Sequence, residues 1–444
     1  MTADATPALS AGDTAWTLVS TALVLLMVPG LALFYGGLVR ARAALNTFMM
    51  SFAALALVAV LWVLLGYSVA FAPGFVVGDL RWAGLGALGL TGPYSATIPH
   101  VAFVAFQAMF AGITVALISG AMVERIRFPV YLAFAALWTT LVYDPLAHWV
   151  WATDGWLRAL GALDFAGGTV VHVSAGTAAL VAAVILGPRR DRGRSALLPH
   201  NVPFTLLGAG LLWVGWFGFN AGSALAADGV AANALLTSNT AAASALLAWV
   251  VIDLRRTGQA TAVGAATGAV VGLVAITPAA GYVTPLAAVA IGAIGASASY
   301  FAIQLRNRTR IDDALDVFAC HGVAGIIGAL LTGVFALKSV NPAGADGLLA
   351  GNAHLLAVQA LAVLCTIVFA GGMTALVLRG LALVTSLRAA VPHELRGIDL
   401  SEHGEHAYHD GDTTEEIAGG SVVVGQPVLL ESEAARGERT LTAA

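Results

Sequence analysis

Long apolar stretches follow one another along this 444-residue chain, separated by short polar connections. Eleven are found, at roughly 14–38, 45–71, 98–123, 128–152, 166–187, 203–225, 231–254, 259–277, 283–304, 316–336 and 354–385. Each approaches or exceeds the ~20 apolar residues that a helix needs to cross a bilayer, so they are numbered here as spans 1 to 11. The runs are continuous, not the short alternating segments of a membrane β-barrel. The pattern therefore predicts an all-α integral membrane protein. Residues 1–13 form a short N-terminal arm, 14–385 the transmembrane domain, and 386–444 a polar tail.

The polar connections are unequal. Arg40 and Arg42 follow span 1, Arg125 and Arg127 span 3, and Arg189, Arg190, Arg192 and Arg194 span 5. Arg255 and Arg256 follow span 7, and Arg306, Arg308 and Arg310 span 9. The alternate loops hold Arg81, Arg158 and Lys338. Thirteen cations against three place the odd-numbered exits in the cytoplasm, with the N-terminus outside and the C-terminus inside. The start of the chain shows neither a basic n-region nor an A-x-A site, so no cleavable signal peptide is expected and span 1 inserts N-out by itself.

Composition agrees with this reading. The chain is 59% hydrophobic and 10% charged, where soluble proteins carry about 25% charge. Its 50 glycines suit close packing of membrane helices. Both cysteines, Cys320 and Cys365, fall in predicted spans, so they indicate no disulfide framework. The tail differs: residues 386–444 carry eleven acidic and four basic side chains, and from Gly411 onward they are polar enough to predict disorder beyond about 410.

Two ionisable groups sit where the bilayer tolerates few. His172 lies in span 5 and His321 in span 10, and an ionisable group at that depth points to a transport path or proton relay. A single buried histidine is commonly packing alone. Here, however, His172-Val-Ser-Ala-Gly176 echoes His321-Gly-Val-Ala-Gly325, and Phe34-Tyr35-Gly36-Gly37 of span 1 echoes Phe219-Asn-Ala-Gly222 of span 6. Spans 1–5 and 6–10 thus read as two inverted five-helix repeats, each closed by a histidine helix, with span 11 added. Inverted repeats are a transporter feature, with the path near their interface.

Longer motifs carry a family resemblance. Asp164-Phe-Ala-Gly-Gly-Thr-Val-Val-His172-Val-Ser-Ala-Gly-Thr resembles the signature of the ammonium transporters of the Amt/Mep/Rh superfamily. Phe106-Gln-Ala-Met-Phe110, Ala121-Met-Val-Glu124-Arg125, Ala147-His-Trp-Val-Trp151, Trp216-Phe-Gly-Phe219-Asn-Ala-Gly-Ser223 and Asp312-Asp-Ala-Leu-Asp316-Val-Phe-Ala-Cys-His321 are similar to further segments. Trp151, Ser223 and the tail segment Gly397–Tyr408 favour the Amt branch. The resemblance implies a homotrimer in the cell membrane with one narrow pore per subunit. It also implies a recruitment site of Phe106, Trp151 and Ser223, a gate of Phe110 and Phe219, and twin pore histidines, His172 and His321. It further implies that a signal protein of the PII class docks at the cytoplasmic face. Asp164 is expected to fix the outer site or take a proton, with the first weighted more heavily, and Asp316 to play a corresponding inner role.

The chemistry suits ammonium, with methylammonium as its analogue. An aromatic face attracts a small cation by ~0.5–2 kcal/mol, and a hydroxyl accepts one of its N–H bonds. Moving the intact ion into a dry lumen costs several kcal/mol even after relaxation. Taking a lysine-like amine with a pKa of ~10.4 as stand-in, losing the proton at neutral pH costs about 4–5 kcal/mol. Deprotonation competes, and imidazoles can then receive ammonia or relay its proton. Two alternatives stand beside transport: an ammonium sensor signalling through its tail, and a sodium-coupled transporter, which would need a polar ion-ligating cluster that the spans lack. No P-loop is present, so ATP does not drive the protein directly. Neither enzyme activity, a cofactor nor a nucleic-acid partner is expected. Cys320 beside His321, and His403, His406 and His409 in the tail, make weak metal candidates that are set aside.

Overall fold

The computed structural model describes residues 9–408. His409 and the stretch beyond about 410 lie outside the described residues. Among the described residues, ten helices are long and apolar enough to cross a membrane, from Ala11–Leu38 for span 1 to Ala353–Val384 for span 11. Span 8 is the shorter apolar helix Ala262–Ile276, which completes the eleven expected. The boundaries fall within a few residues of the hydropathy limits, and several starts are fixed by caps: Asn201, Thr261 and Thr284 each accept a backbone N–H at the start of spans 6, 8 and 9.

One element departs from the all-helical pattern. The loop between spans 2 and 3 folds into a small antiparallel hairpin, β1 (Thr91–Gly92) and β2 (Ser95–Pro99). Ser10 N–H donates to Thr97 O at 2.8 Å, so the hairpin ties the start of span 1 to that face.

The two halves interlock through small residues. Span 1 lies along span 6, where a Cβ added to Gly208 would stand 2.3 Å from Phe34 N. Spans 7, 8 and 9 pack together on one side, and span 11 closes the other against spans 5 and 10. Five spans contain a π-helical turn, at Trp62–Gly66, Thr139–Tyr143, Gly168–Val173, Phe217–Ala221 and Phe318–Val323. Such turns recur at functional sites. Three of these hold His172, Phe219 and His321.

The loops after spans 1, 3 and 5 share one face with the tail. Two short tail helices, Val391–Arg396 and Ile398–His403, lie across it. Asp399 accepts from Leu45 N (3.0 Å) and Asn46 N (2.8 Å), and Glu402 from Phe128 N (2.9 Å), so tail carboxylates cap spans 2 and 4. Negative charge at a helix N-terminus is favourable.

Candidate functional site

The site is set by how closely spans 5 and 10 cross. A Cβ on Gly176 would lie 2.2 Å from Gly322 N, and one on Gly325 would lie 3.1 Å from His172 Cβ. No side chain fits there, so the backbones touch. Each glycine stands four residues after a histidine, so the crossing brings the two imidazoles together. Their Nδ1 atoms are 3.3 Å apart and the rings are nearly parallel, with centroids 5.3 Å apart at 23°. A hydrogen bond between two Nδ1 atoms requires one to donate and the other to accept, which leaves both Nε2 atoms free of that bond. His172 Nε2 has no protein partner among the described residues.

Around the pair the lumen is apolar and tight. Trp216 stacks on His172 (5.5 Å, 22°), with Leu31, Phe34, Ile113 and Val171 among the lining residues. Its free volume is about 10 Å³, room for roughly one water-sized molecule.

Above it, on the face opposite the tail, two phenylalanines close the way. Phe110 and Phe219 lie 4.3 Å apart at 32°. Beyond them opens a vestibule of about 620 Å³ bordered by Trp151, Ser223 and Asp164. Trp151 meets Phe110 edge-on at 5.9 Å. Its Nε1–H donates to Asp164 O at 3.0 Å, which holds the indole in place. Ser223 Oγ donates to Phe219 O at 2.8 Å, which directs its proton away and leaves lone pairs for an incoming N–H. Phe106 stands elsewhere: it is fully buried, edge-on to Phe110 at 4.8 Å, so it backs the gate instead of lining the vestibule. Gln107, unremarked in the sequence, does line it, with Oε1 buried and unpartnered among the described residues. Its signal was available, as the one polar residue of Phe106-Gln-Ala-Met-Phe110.

The carboxylates complete the frame. Asp164 Oδ1 accepts from Gly167 N (2.8 Å) and Gly168 N (2.6 Å), and Oδ2 from Thr169 N (2.8 Å), Val170 N (3.2 Å) and the Thr169 hydroxyl. It caps the histidine helix of span 5 with every lone pair engaged. Eight residues before His172 stands Asp164; eight before His321 stands Asp313, whose Oδ2 accepts from Phe318 N at 2.7 Å. Asp316 takes another place. It lies five residues before His321 with φ +56°, matching Gly167, five before His172 with φ +116°. Both turn the chain into the helix through left-handed backbone, which glycine and aspartate tolerate best. The Asp316 side chain pairs with Arg306 at 2.7 Å. By position in the second histidine helix the counterpart of Asp164 is thus Asp313, and equal spacing from the histidines is the signal that identifies it.

A sequence model of the Ammonium Transporter Family matches residues 15–408. The chain belongs to that family. An ammonium transporter of Bacillus subtilis is 50% identical over 402 residues, covering 90% of this chain and 99% of its own. The crystal structure of Saccharomyces cerevisiae Mep2 superposes with a TM-score of 0.82 at 35% identity, over 87% of this chain and 90% of that one. A sensor Amt protein gives 0.82 at 32% identity, over 88% and 98%.

In this family member the tail-side face is locked by charge. Glu124, in left-handed backbone at φ +66°, accepts from Arg40 at 2.8 Å and Arg189 at 2.9 Å. Arg189 also grips both oxygens of Asp312 at 3.0 Å. Burial opposes ionisation of both carboxylates, but the hydrogen bonds and charge of the arginines prevail. They hold Glu124 below its usual range and Asp312 at about 2. The exits of spans 1, 3 and 5 are thereby tied to the segment entering span 10. Cys320 is buried, and no group of three potential metal ligands occurs among the described residues.

Proposed function

We propose that the protein takes up ammonium at the vestibule, strips it of one proton, and conducts ammonia past the twin histidines. The face bearing Trp151 is read as external, on the arginine count, and the tail as cytoplasmic. Trp151 offers a cation its ring, while Ser223 and Gln107 offer acceptors. The closely packed Phe110 and Phe219 and the one-molecule lumen below them provide no hydration for a charge. Ionic passage there would incur the several kcal/mol of desolvation that survive relaxation, against about 4–5 kcal/mol to release the proton first. Ammonia, once neutral, meets His172 and His321, whose Nε2 atoms can each give or accept one hydrogen bond. The observation that carries this reading is the imidazole pair bonded Nδ1 to Nδ1 inside an apolar lumen.

Asp164 serves as a scaffold on this view, because its lone pairs are engaged by backbone donors and its carbonyl holds Trp151. The test is uptake of methylammonium into vesicles holding the purified protein, with electrical recording. His172→Ala and His321→Ala should each change rate, ion selectivity or net charge moved. Were all three unchanged in both variants, the pair would have no part in conduction.

A second reading, ammonium sensing through the tail, draws on the likeness to the sensor Amt protein and on the tail caps of spans 2 and 4. Saturable binding without uptake by the intact protein would favour it. The assembly is read as a homotrimer, and the tail face as the docking site of a PII-class protein, both on the family resemblance. Light scattering of the purified protein tests the first, and co-purification with a PII protein the second.

A further inference from the structure

Span 4 carries two buried ionisable groups that the pore does not use. Asp144 and His148 stand four residues apart, directly after the π-helical turn Thr139–Tyr143, and both are fully buried. Neither borders the vestibule or the lumen. Four residues make about one helical turn, so the two side chains share a face. That face meets the end of span 2. A Cβ added to Gly66 would stand 3.0 Å from Asp144 Oδ2, and His148 Nδ1 lies 3.1 Å from the carbonyl oxygen of Ala70, four residues after Gly66. The two groups are thus stacked one turn apart against a single strip of span 2.

The imidazole meets more acceptors than a neutral ring can serve. Its Nε2 lies 2.9 Å from Gly74 O, while its Nδ1 faces Ala70 O. A neutral imidazole has one N–H and one lone pair, so one of these contacts would set lone pair against lone pair. An imidazolium, with two N–H groups, satisfies both oxygens. One turn before it, both oxygens of Asp144 lie buried without a partner among the described residues. A carboxylate or an imidazolium buried alone is costly, and an opposite charge close by offsets part of that cost. The other charges of this corner are engaged. Asp154 accepts from Gly74 N at 2.6 Å, Asp79 pairs with Arg81 at 2.7 Å, and Arg158 donates to Trp151 O at 2.7 Å. Tyr67 and His100 bond to each other. Asp144 is left to balance His148.

The place of the ring gives its proton a task. Phe71, next to Ala70, borders the vestibule together with Tyr94, whose hydroxyl donates to Phe71 O. Trp151 follows His148 by three residues on the same helix. The two bonds of His148 therefore fasten one wall of the vestibule to the helix that carries the indole.

We propose that His148 holds a proton at neutral pH as an imidazolium bridging Ala70 O and Gly74 O, with Asp144 as its counter-charge, and that this bridge positions Trp151. The proton site is independent of the conduction reading; its effect on uptake rests on that reading.

The experiment is solid-state nitrogen NMR of the full-length protein in lipid at neutral pH. Carbonyl-labelled alanine with labelled histidine selects His148 and His354, the two histidines that follow an alanine, and His354→Gln removes the second. Both His148 nitrogens should carry a proton, and adding Asp144→Asn should leave one of them bare. A bare nitrogen with Asp144 intact would overturn the proposal, as would an imidazolium that persists in Asp144→Asn. Uptake then separates positioning from packing. Destabilisation removes working copies and lowers the maximal rate at constant KM, whereas a misplaced Trp151 raises KM. Asp144→Asn and His148→Gln should each raise KM for methylammonium by about fivefold, the scale of one lost hydrogen bond, with the maximal rate within about twofold. A loss confined to the maximal rate would overturn the link to Trp151. No uptake by the unaltered protein would overturn the conduction reading and the positioning role together, and leave the proton to the spectrum. If neither variant folds, the nitrogen spectrum with Asp144 intact still decides the proton.

Discussion

The two histidine helices answer to one plan and are finished differently. In each, a carboxylate stands eight residues before the histidine, a left-handed residue five before, a π-helical turn around it and a glycine four after. Span 5 fills these places with Asp164, Gly167 and Gly176, span 10 with Asp313, Asp316 and Gly325. Asp164 gathers four backbone N–H groups and a hydroxyl, whereas Asp313 binds Phe318 N and leaves Oδ1 unpartnered among the described residues. The difference follows from what each end must hold. The end away from the tail carries Trp151 on the Asp164 carbonyl, and its turn is saturated with hydrogen bonds. The tail-side end adjoins the arginine knot, where Asp316 serves as turn residue and partner of Arg306. A repeated frame thus places the chemistry, and unequal caps suit it to a wet vestibule on one side and a charged face on the other.

The crossing both halves share gives the largest expected effect. Gly176→Leu would drive a side chain into the backbone of Gly322, where neither helix can yield. Overpacking commonly costs 1–3 kcal/mol, and with backbone on both sides this variant should exceed about 3 kcal/mol and abolish uptake. Fluorescence-detected size exclusion and melting in detergent would measure it; a folded, active variant would mean that the close crossing does not position the imidazoles.

Next come the caps. Losing a helix cap typically costs 0.5–2 kcal/mol. Asp164→Asn should reach about 2 kcal/mol or more and lower uptake through misplacement of Trp151. For Asp313→Asn, about 0.5–1 kcal/mol is expected, since burial already pushes the Asp313 carboxyl up toward its neutral form. Equal losses of stability in the two variants would erase the asymmetry.

The turn residues should separate more gently. Gly167→Ala meets both a positive φ and Val171 Cγ2 at 2.6 Å, so about 1–3 kcal/mol is expected. Asp316→Gly relieves φ but breaks the pair with Arg306, and a net change within about 1 kcal/mol should follow. Thermal melts of the two variants side by side test this.

Acid sensitivity should belong to the tail-side face and be the smallest effect near neutrality. Asp312 and Glu124 are held below their usual ranges in the folded state, so they stabilise it above those ranges. That contribution is fully present at neutral pH and is lost as pH falls through about 4 toward 2. Melting temperature should decline below about pH 4.5. A flat profile down to pH 3 would remove the knot from the stability of that face.

Much of this was legible in residue order. Hydropathy located the spans because apolar length is what hydrocarbon selects, and at spans 6, 8 and 9 the polar residue that ends the loop also caps the helix. The motifs named Trp151, Ser223, Phe110, Phe219 and both histidines, all of which line the vestibule, gate or lumen. A motif does not say whether a phenylalanine faces the opening or the residue behind it, and the Phe106 ring lies behind Phe110. Residue order offers both Asp313 and Asp316 near the helix and no backbone angle to tell a turn from a cap. The hairpin at Thr91–Pro99 escaped because two- and five-residue strands leave almost no periodic signal.

Sequence by itself determined that this chain crosses a membrane eleven times and carries two histidines at depth, since hydrocarbon selects apolar length and penalises ionisable groups one residue at a time. Tertiary structure decided that the two imidazoles meet at Nδ1, that one carboxylate saturates its turn while the other does not, and that a buried imidazole of span 4 faces two carbonyl oxygens at and just beyond the end of span 2. Those are distances between residues far apart in the chain, set by helix crossings whose closeness depends on glycines meeting backbone.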